Sequence, residues 1–219
     1  MLDGNGEYLD DIHSEALKDA STVGMTILPS GDILTLNWRT KEITKCTHNG
    51  ETLQVMSFSE FMEPIDITVD SRSRILIADT GCAKVGTKIN LTINYKAGKP
   101  LFSFDVGAHC DSAPVTCVCI GLNDEILVGT CSSLLLFDPG GRFLRDISVS
   151  ASSSTLHPAS FPPSHRSRFR VTACAVCQST GDIISAVIDA KTNRAHLAVS
   201  QYKVGVLLPG AIRCCASLK

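Results

Sequence analysis

"ILIADTGCA", residues 75–83, carries two incompatible readings. Four apolar residues run into Asp79-Thr80-Gly81, and Asp-Thr-Gly is the active-site tripeptide of the aspartic proteases. The same letters also describe a buried strand that ends in a turn. The choice rests on whether the stretch stands alone or recurs.

It recurs. "SGDILTL" (30–36), "RSRILIA" (72–78), "NDEILVG" (123–129) and "TGDIISA" (180–186) each set a polar turn before an Ile-Leu or Ile-Ile step. That is how a strand starts after a tight turn. The first Ile of each stands at 33, 75, 126 and 183, giving spacings of 42, 51 and 57 residues. The excess over 42 is assigned to two insertions, "GTKINLTIN" (86–94) and the Ser/Pro-rich "SVSASSSTLHPASFPPSHR" (148–166). Nine residues before each Ile stand Gly24, Asp66, Cys117 and Cys174. Ten residues after it stand Ile43, Val85, Leu136 and Asn193, where the fourth unit diverges. A Gly turn follows in each unit: "HNGETL", "KAGKPL", "PGGRFL" and "KVGVLL". The opening "GNGEYL" repeats it, so the chain is expected to start inside the last strand of an earlier unit.

Four short strands in about 42 residues are the signature of a β-propeller blade. The sequence therefore predicts an all-β propeller of four four-stranded blades, near 22–60, 61–112, 113–165 and 166–219. Residues 1–12 supply the outer strand of a preceding blade, and the ring is incomplete. Residues 13–20 allow one short helical turn, and helix should stay below about a tenth of the chain. Innermost strands are crowded near the axis, and the small residues of "TCVCI" and "TACAVC" suit that place. This gives the cysteines a packing role. The chain has ten, but they alternate, adjoin or scatter rather than forming a disulfide framework. Reduced, mostly buried thiols are expected.

Composition narrows the function. At 44% hydrophobic and 19% charged residues, with net charge −2, nothing drives the whole molecule toward nucleic acid or anionic membrane. The acidic start "MLDGNGEYLDDIHSE" is no signal peptide, and no apolar run approaches the ~20 residues of a membrane helix. The expected location is cytoplasmic, where the Asn90-Leu91-Thr92 sequon is idle.

"EPIDITVDSRSRILIADTGCAKV" (63–85) resembles an NHL repeat: Pro, an apolar strand ending in Asp, a turn, an apolar strand ending in Ala-Asp, and a basic residue before an apolar one. Pro64, Asp70, Ala78, Asp79, Lys84 and Val85 match that pattern. "NWRTKEIT", "GETLQVMSFSEFMEPID" and "DEILVG…LLLFDPGGRFL" look most like the NHL domain of animal RING-finger NHL proteins and their tripartite-motif relatives. Cys82 and Ala83 depart from the Asn-His often found after the turn. The resemblance implies a six-bladed parent, so four blades and a leading strand imply a piece of a longer protein. It also implies a parent that takes part in RING-type ubiquitin ligation and proteasomal degradation. The propeller would be a non-catalytic module presenting a protein substrate or single-stranded RNA. No RING or B-box array of Cys and His stands in this sequence, so no cofactor is expected here, zinc included.

Against that frame Asp79 is a turn residue. Its counterpart in the preceding unit is Asn37, and an Asp-to-Asn exchange suits a turn but would destroy a general acid or base. Asp79→Asn is accordingly expected to be nearly silent. The rivals are enzymes. A retropepsin-like protease using Asp79 would need a second carboxylate from a dimer. A propeller hydrolase with a channel metal would need several inner-strand ligands, where the aligned set offers only Asp66. The lone Cys174-x-x-Cys177 has no second pair at finger spacing. No catalytic residue and no metal ligand set is assigned.

The candidate binding residues are Trp38, Arg39, Lys41 and Lys84 in the loops between second and third strands. Trp38 is the single Trp, and Trp and Arg dominate recognition hot spots. Packing of Trp38 against a neighbouring blade is the competing account. In "HRSRFR", Arg166, Arg168, Phe169 and Arg170 are candidate RNA contacts, against the simpler reading of a solvated loop.

Overall fold

The computed structural model describes residues 3, 5–18, 20–80, 88–92, 100–110, 113–131, 133–147, 169–201 and 213–214. Among these described residues, sixteen strands fall into four four-stranded antiparallel sheets, each in sequential order from an innermost to an outermost strand. Sheet 1 holds β1 (Thr22–Ile27), β2 (Ile33–Asn37), β3 (Glu42–Cys46) and β4 (Thr52–Ser57). Sheet 2 holds β5 (Pro64–Val69), β6 (Ile75–Asp79), β7 (Lys88–Thr92) and β8 (Pro100–Asp105). Sheet 3 holds β9 (Val115–Ile120), β10 (Ile126–Thr130), β11 (Leu134–Phe137) and β12 (Phe143–Ile147). Sheet 4 holds β13 (Phe169–Val176), β14 (Asp182–Asp189), β15 (Ala195–Gln201) and β16 (Arg213–Cys214). The described residues are almost all β, and the ring of sheets is not closed.

The repeat seen in the sequence is a register. Ile33, Ile75, Ile126 and Ile183 each lie at the start of a second strand, opposite Ile27, Val69, Ile120 and Val176 at the ends of the first strands. The turns between them set that register. Leu28, Asp70 and Gly121 donate their N–H groups to the carbonyls of Asp32, Arg74 and Glu125, and the third residue on has positive φ. In sheet 4 the same link runs from Cys177 to Asp182, one residue longer. The Gly turns recur likewise. Asp3, Thr47 and Asp138 donate to the carbonyls of Glu7, Glu51 and Arg142, with Gly6, Gly50 and Gly141 at φ of 85°, 87° and 82°. That conformation is costly for any residue with a Cβ.

Three expectations are corrected. The longer turn of sheet 4 moves the phase by one: Gly24, Asp66 and Cys117 face Leu36, Ala78 and Gly129, but Ala186 faces Ala173, not Cys174. The segment 86–94 is no insertion outside the unit, because it contains β7, paired with β6 from Asp79↔Lys88 to Ile75↔Thr92. Its alternation of Lys88, Ile89, Asn90, Leu91 and Thr92 is a strand pattern; four of the added residues lie in the loop before it and the rest lie beyond it. The start of the chain shows the Gly turn and an isolated bridge at Tyr8, but no outer strand among the described residues of 1–12. The expected helical turn is a 3-10 turn at Glu15–Leu17. Val85 and 148–166 lie outside the described residues.

The core lies between sheets. Leu34, Leu36, Ile43 and Phe61 meet Ile67, Ile75 and Ile77 between sheets 1 and 2. Leu76, Ala78 and Val106 meet Val118, Val128 and Phe137 between sheets 2 and 3. Cys117, Cys119, Leu127 and Leu134 meet Val171, Ile183 and Val187 between sheets 3 and 4. Burying each such side chain is worth about 1.5–3 kcal/mol, so stacking rather than strand pairing holds the arc together.

Candidate functional site

Loops leave the sheets at two ends. At one end, the loops between second and third strands are tied to the segments entering the first strands. Trp38 N–H reaches Ser21 O at 3.3 Å, Thr80 N–H reaches Glu63 O at 3.0 Å, and Cys131 N–H reaches Pro114 O at 3.3 Å. These bonds make one face of loops. It is the face expected to carry the binding residues.

Trp38 sits on a rigid tip. The Asn37 side-chain oxygen accepts the N–H groups of Arg39 (3.0 Å) and Thr40 (3.3 Å), and Lys41 completes the turn at φ 57°. Asn tolerates such a role because its short amide mimics a backbone carbonyl. Trp38 is 44% exposed and belongs to no core cluster among the described residues, which disfavours its packing into a neighbouring blade. The Arg39 guanidinium lies 5.6 Å from the ring centroid, within cation–π range.

Sheet 4 builds the same tip. Asp189 Oδ1 accepts the N–H groups of Lys191 (2.8 Å) and Thr192 (3.4 Å), and Asn193 has φ 52°. Lys191 therefore takes the place of Arg39. Arg194 follows in the same loop, and Arg170, exposed on β13, pairs with Ile188 near that end. Sequence reasoning missed Lys191 and Arg194; the common signal was an Asn or Asp followed four residues later by Lys or Asn. Lys84, Arg166 and Arg168 lie outside the described residues, as does the side chain of Phe169. The structure thus brings Trp38, Arg39 and Lys41 together.

Asp79 has partners that the sequence did not show. It is 2% exposed, and its two carboxylate oxygens accept the N–H groups of Met62 (2.9 Å) and Glu63 (2.8 Å). The turn that follows it, residues 81–87, lies outside the described residues. Asp79 clamps the segment that leads into β5. A carboxylate used up in this way by backbone donors is no general base.

The concave inner surface is the other candidate, an open cavity of about 630 Å³ lined by β1, β5, β9, β13 and adjoining turns. Asp66 is its inner-strand carboxylate. It accepts N–H groups from Ile67 and from Val118 of the next sheet, each at 2.9 Å, and burial raises its pKa. Beside it, Cys117 donates to Cys174 Sγ at 3.5 Å and Cys174 to Cys119 Sγ at 3.1 Å. The bond to Cys174 and then burial push the Cys117 thiol far up. For Cys174 the bond from Cys117 lowers the pKa, but the bond to Cys119 and burial outweigh it and hold the thiol well above normal. Neutral thiols of this kind pack; they are poor nucleophiles. Cys177 instead contacts Ser179 Oγ at 3.2 Å, and that bond, with further ones from Thr180 and the turn's backbone, brings its pKa down to about 7. The seven cysteines whose side chains are described are free; Cys117 and Cys119 are buried, whereas Cys174 is only half-buried. Among the described residues no three His, Cys, Asp or Glu side chains could hold a metal, and no helix is long and apolar enough to cross a membrane.

No family model and no curated protein matches the chain. Solved β-propellers match its fold. It is similar to the WD40 β-propeller domain of Doa1 (16% identity, TM-score 0.55), covering 84% of this chain and 52% of that one. Virginiamycin B lyase from Staphylococcus aureus matches at 13% identity and TM-score 0.57, covering 90% and 55%. YCF48, solved bound to D1 peptide, matches at 8% identity and TM-score 0.60, covering 86% and 53%. The chain spans about half the length of these propellers.

Proposed function

We propose that the chain is a non-catalytic recognition module that binds an acidic peptide segment at the face of loops carrying Trp38. The observation behind this reading is the exposed Trp38–Arg39 pair on a turn pinned by Asn37. A rigid aromatic beside a cation loses little entropy on binding and offers both apolar area and charge. Lys191 on the matching tip of sheet 4 extends the positive character to a second sheet. A propeller solved with a bound peptide gives the mode a precedent within the fold. The resemblance to RING-finger NHL proteins adds the finer part of the proposal. The bound segment would belong to a substrate presented for ubiquitination in the cytoplasm, by a zinc-binding RING that is not in this sequence.

The test is fluorescence anisotropy of the 219-residue chain against an array of labelled acidic peptides and a random single-stranded RNA pool. Trp38→Ala and Arg39→Glu should each weaken peptide binding about tenfold or more. Arg142→Glu, in a Gly turn between third and fourth strands, should leave it unchanged. Binding of RNA alone, with affinity collapsing steeply as salt rises, would replace the peptide by RNA. Peptide binding indifferent to both substitutions would remove this face.

A further inference from the structure

Three thiols meet where the first strands of sheets 3 and 4 run side by side. Cys174 on β13 serves both cysteines of β9, its Sγ 3.5 Å from that of Cys117 and 3.1 Å from that of Cys119. The fold makes room for them. A Cβ at Gly129, which pairs with Cys117 from β10, would stand 2.3 Å from Cys117 Sγ. Cys119 and Cys174 border the open inner cavity and are the more exposed two of the three. The spacing suits a bond between sulfurs rather than a shared metal. Two thiolates on one zinc hold their sulfurs about 3.8 Å apart. A disulfide needs about 2.05 Å, a closure of about 1 Å from the shorter contact. Beside Cys174 there is also an unpaired hydroxyl. Ser185 of β14 is in register with Cys174 and stands between Ile183 and Val187, on the face that packs on sheet 3. Its Oγ is buried and has no hydrogen-bond partner among the described residues. Such a group is costly and calls for a reason.

We propose that Cys119 and Cys174 are a peroxide-driven disulfide site that staples sheet 3 to sheet 4. Hydrogen peroxide converts the Cys174 thiol to a sulfenic acid and is itself reduced to water. The Ser185 hydroxyl donates to the added oxygen. Cys119 Sγ then attacks Cys174 Sγ, the sulfur–sulfur bond forms, and the oxygen leaves as water with the Cys119 proton. Two thiols and one peroxide thus give one disulfide and two waters. A thiol held neutral reacts slowly, so the staple answers sustained exposure to oxidant rather than a brief pulse. Both sheets lie within the arc, and innermost strands line the central channel of a propeller, so a longer parent keeps the site.

The test exposes the 219-residue chain to hydrogen peroxide, alkylates the remaining thiols after denaturation, and maps linked peptides by mass spectrometry. Wild type should yield a link between β9 and β13, two hydrogens lighter than its parts. Cys119→Ser and Cys174→Ser should each lower its yield about tenfold or more. Cys119→Ala and Cys174→Ala replace either variant that circular dichroism shows to be unfolded. Cys117→Ser and Cys177→Ser should keep the link, although the Cys177 thiol has the pKa of about 7. Ser185→Ala removes an unsatisfied group, so it should fold at least as well as wild type, yet form the link about threefold more slowly or worse. Oxidised wild type should unfold at a urea concentration about 1 M higher than the reduced form. A wild type in which Cys119 and Cys174 both stay open to alkylation, a link that survives loss of Cys119, or one made by Cys177 would overturn the proposal. So would a urea midpoint that oxidation leaves unchanged. An unchanged rate in Ser185→Ala would strike the hydroxyl from the mechanism.

Discussion

Asp79 and Asn37 occupy the same place, each the last residue of a second strand, yet they make different bonds. Asn37 folds its own loop through one oxygen that takes two N–H groups. Asp79 uses both oxygens, one for Met62 and one for Glu63. An amide at 79 could accept only one of these bonds, and its NH₂ would face the other donor. Asp79→Asn should therefore cost about 1–3 kcal/mol, the usual loss for a buried donor left without an acceptor. Asn37→Asp keeps the accepting oxygen and should stay within about 0.5 kcal/mol. Urea unfolding of the two variants decides it; equal midpoints would mean that the clamp on the β5 entry contributes nothing. The position of Asp79 was legible from its offset to Ile75. Its partners were not, because they come from residues 16 and 17 positions earlier in the chain. The residue that shares Asn37's role is Asp189, hidden from a fixed offset by the longer β14.

At the scale of elements, turn chemistry carried the reading furthest. The polar turn before each Ile fixes which residues start the second strands, so the four Ile registers agree with the spacing once insertions are set aside. A single added residue between Val176 and Ile183 moves the first strand of sheet 4 by one, and only backbone pairing shows it. The third strand of sheet 2 was missed because its pattern lies beyond a lengthened loop. Close approach of first strands was also invisible in the sequence, although Gly24 hinted at it. A Cβ there would stand 2.9 Å from both Asp66 Oδ1 and Ile67 N, and 3.0 Å from Asp66 Cα. Two of those atoms are backbone and cannot swing aside. Gly24→Ala should force sheets 1 and 2 apart at about 1–3 kcal/mol, the range for overpacking, despite the better strand propensity of Ala. Thermal unfolding checks it, and an unchanged or raised midpoint would show that β1 and β5 have room to spare.

For the whole molecule, acid response ties the sheets together. The lysine bond from Lys45 holds Asp32 below its ordinary carboxylate range, and the backbone N–H of Arg142 does the same for Asp138. For Asp124 burial pulls upward, but the hydroxyl and N–H of Ser71 outweigh it, and the nearby Arg74 and Arg72 add to the lowering. This last pair of bonds, 2.6 and 2.9 Å, joins the turns of sheets 2 and 3. A lowered folded pKa gives stability that is present above the unfolded value of 3.8 and lost as pH falls through the folded one. Asp66 works the other way, since burial raises it: its penalty at neutral pH is relieved as pH falls through its folded pKa toward 3.8. The two effects occupy different windows. Stability should therefore rise on going from neutral to mildly acidic pH, pass a maximum above 3.8, and fall below it. Urea midpoints measured across that range test the shape. Asp124→Asn, which weakens the link from Ser71 and removes the titrating group, should lower the plateau and flatten the acid fall while leaving the rise in place. A rise that vanished with Asp124 rather than with Asp66 would mean that the inner-strand carboxylate is solvated in the folded protein, and the link from Asp66 to Val118 would then not help hold sheets 2 and 3 in stack.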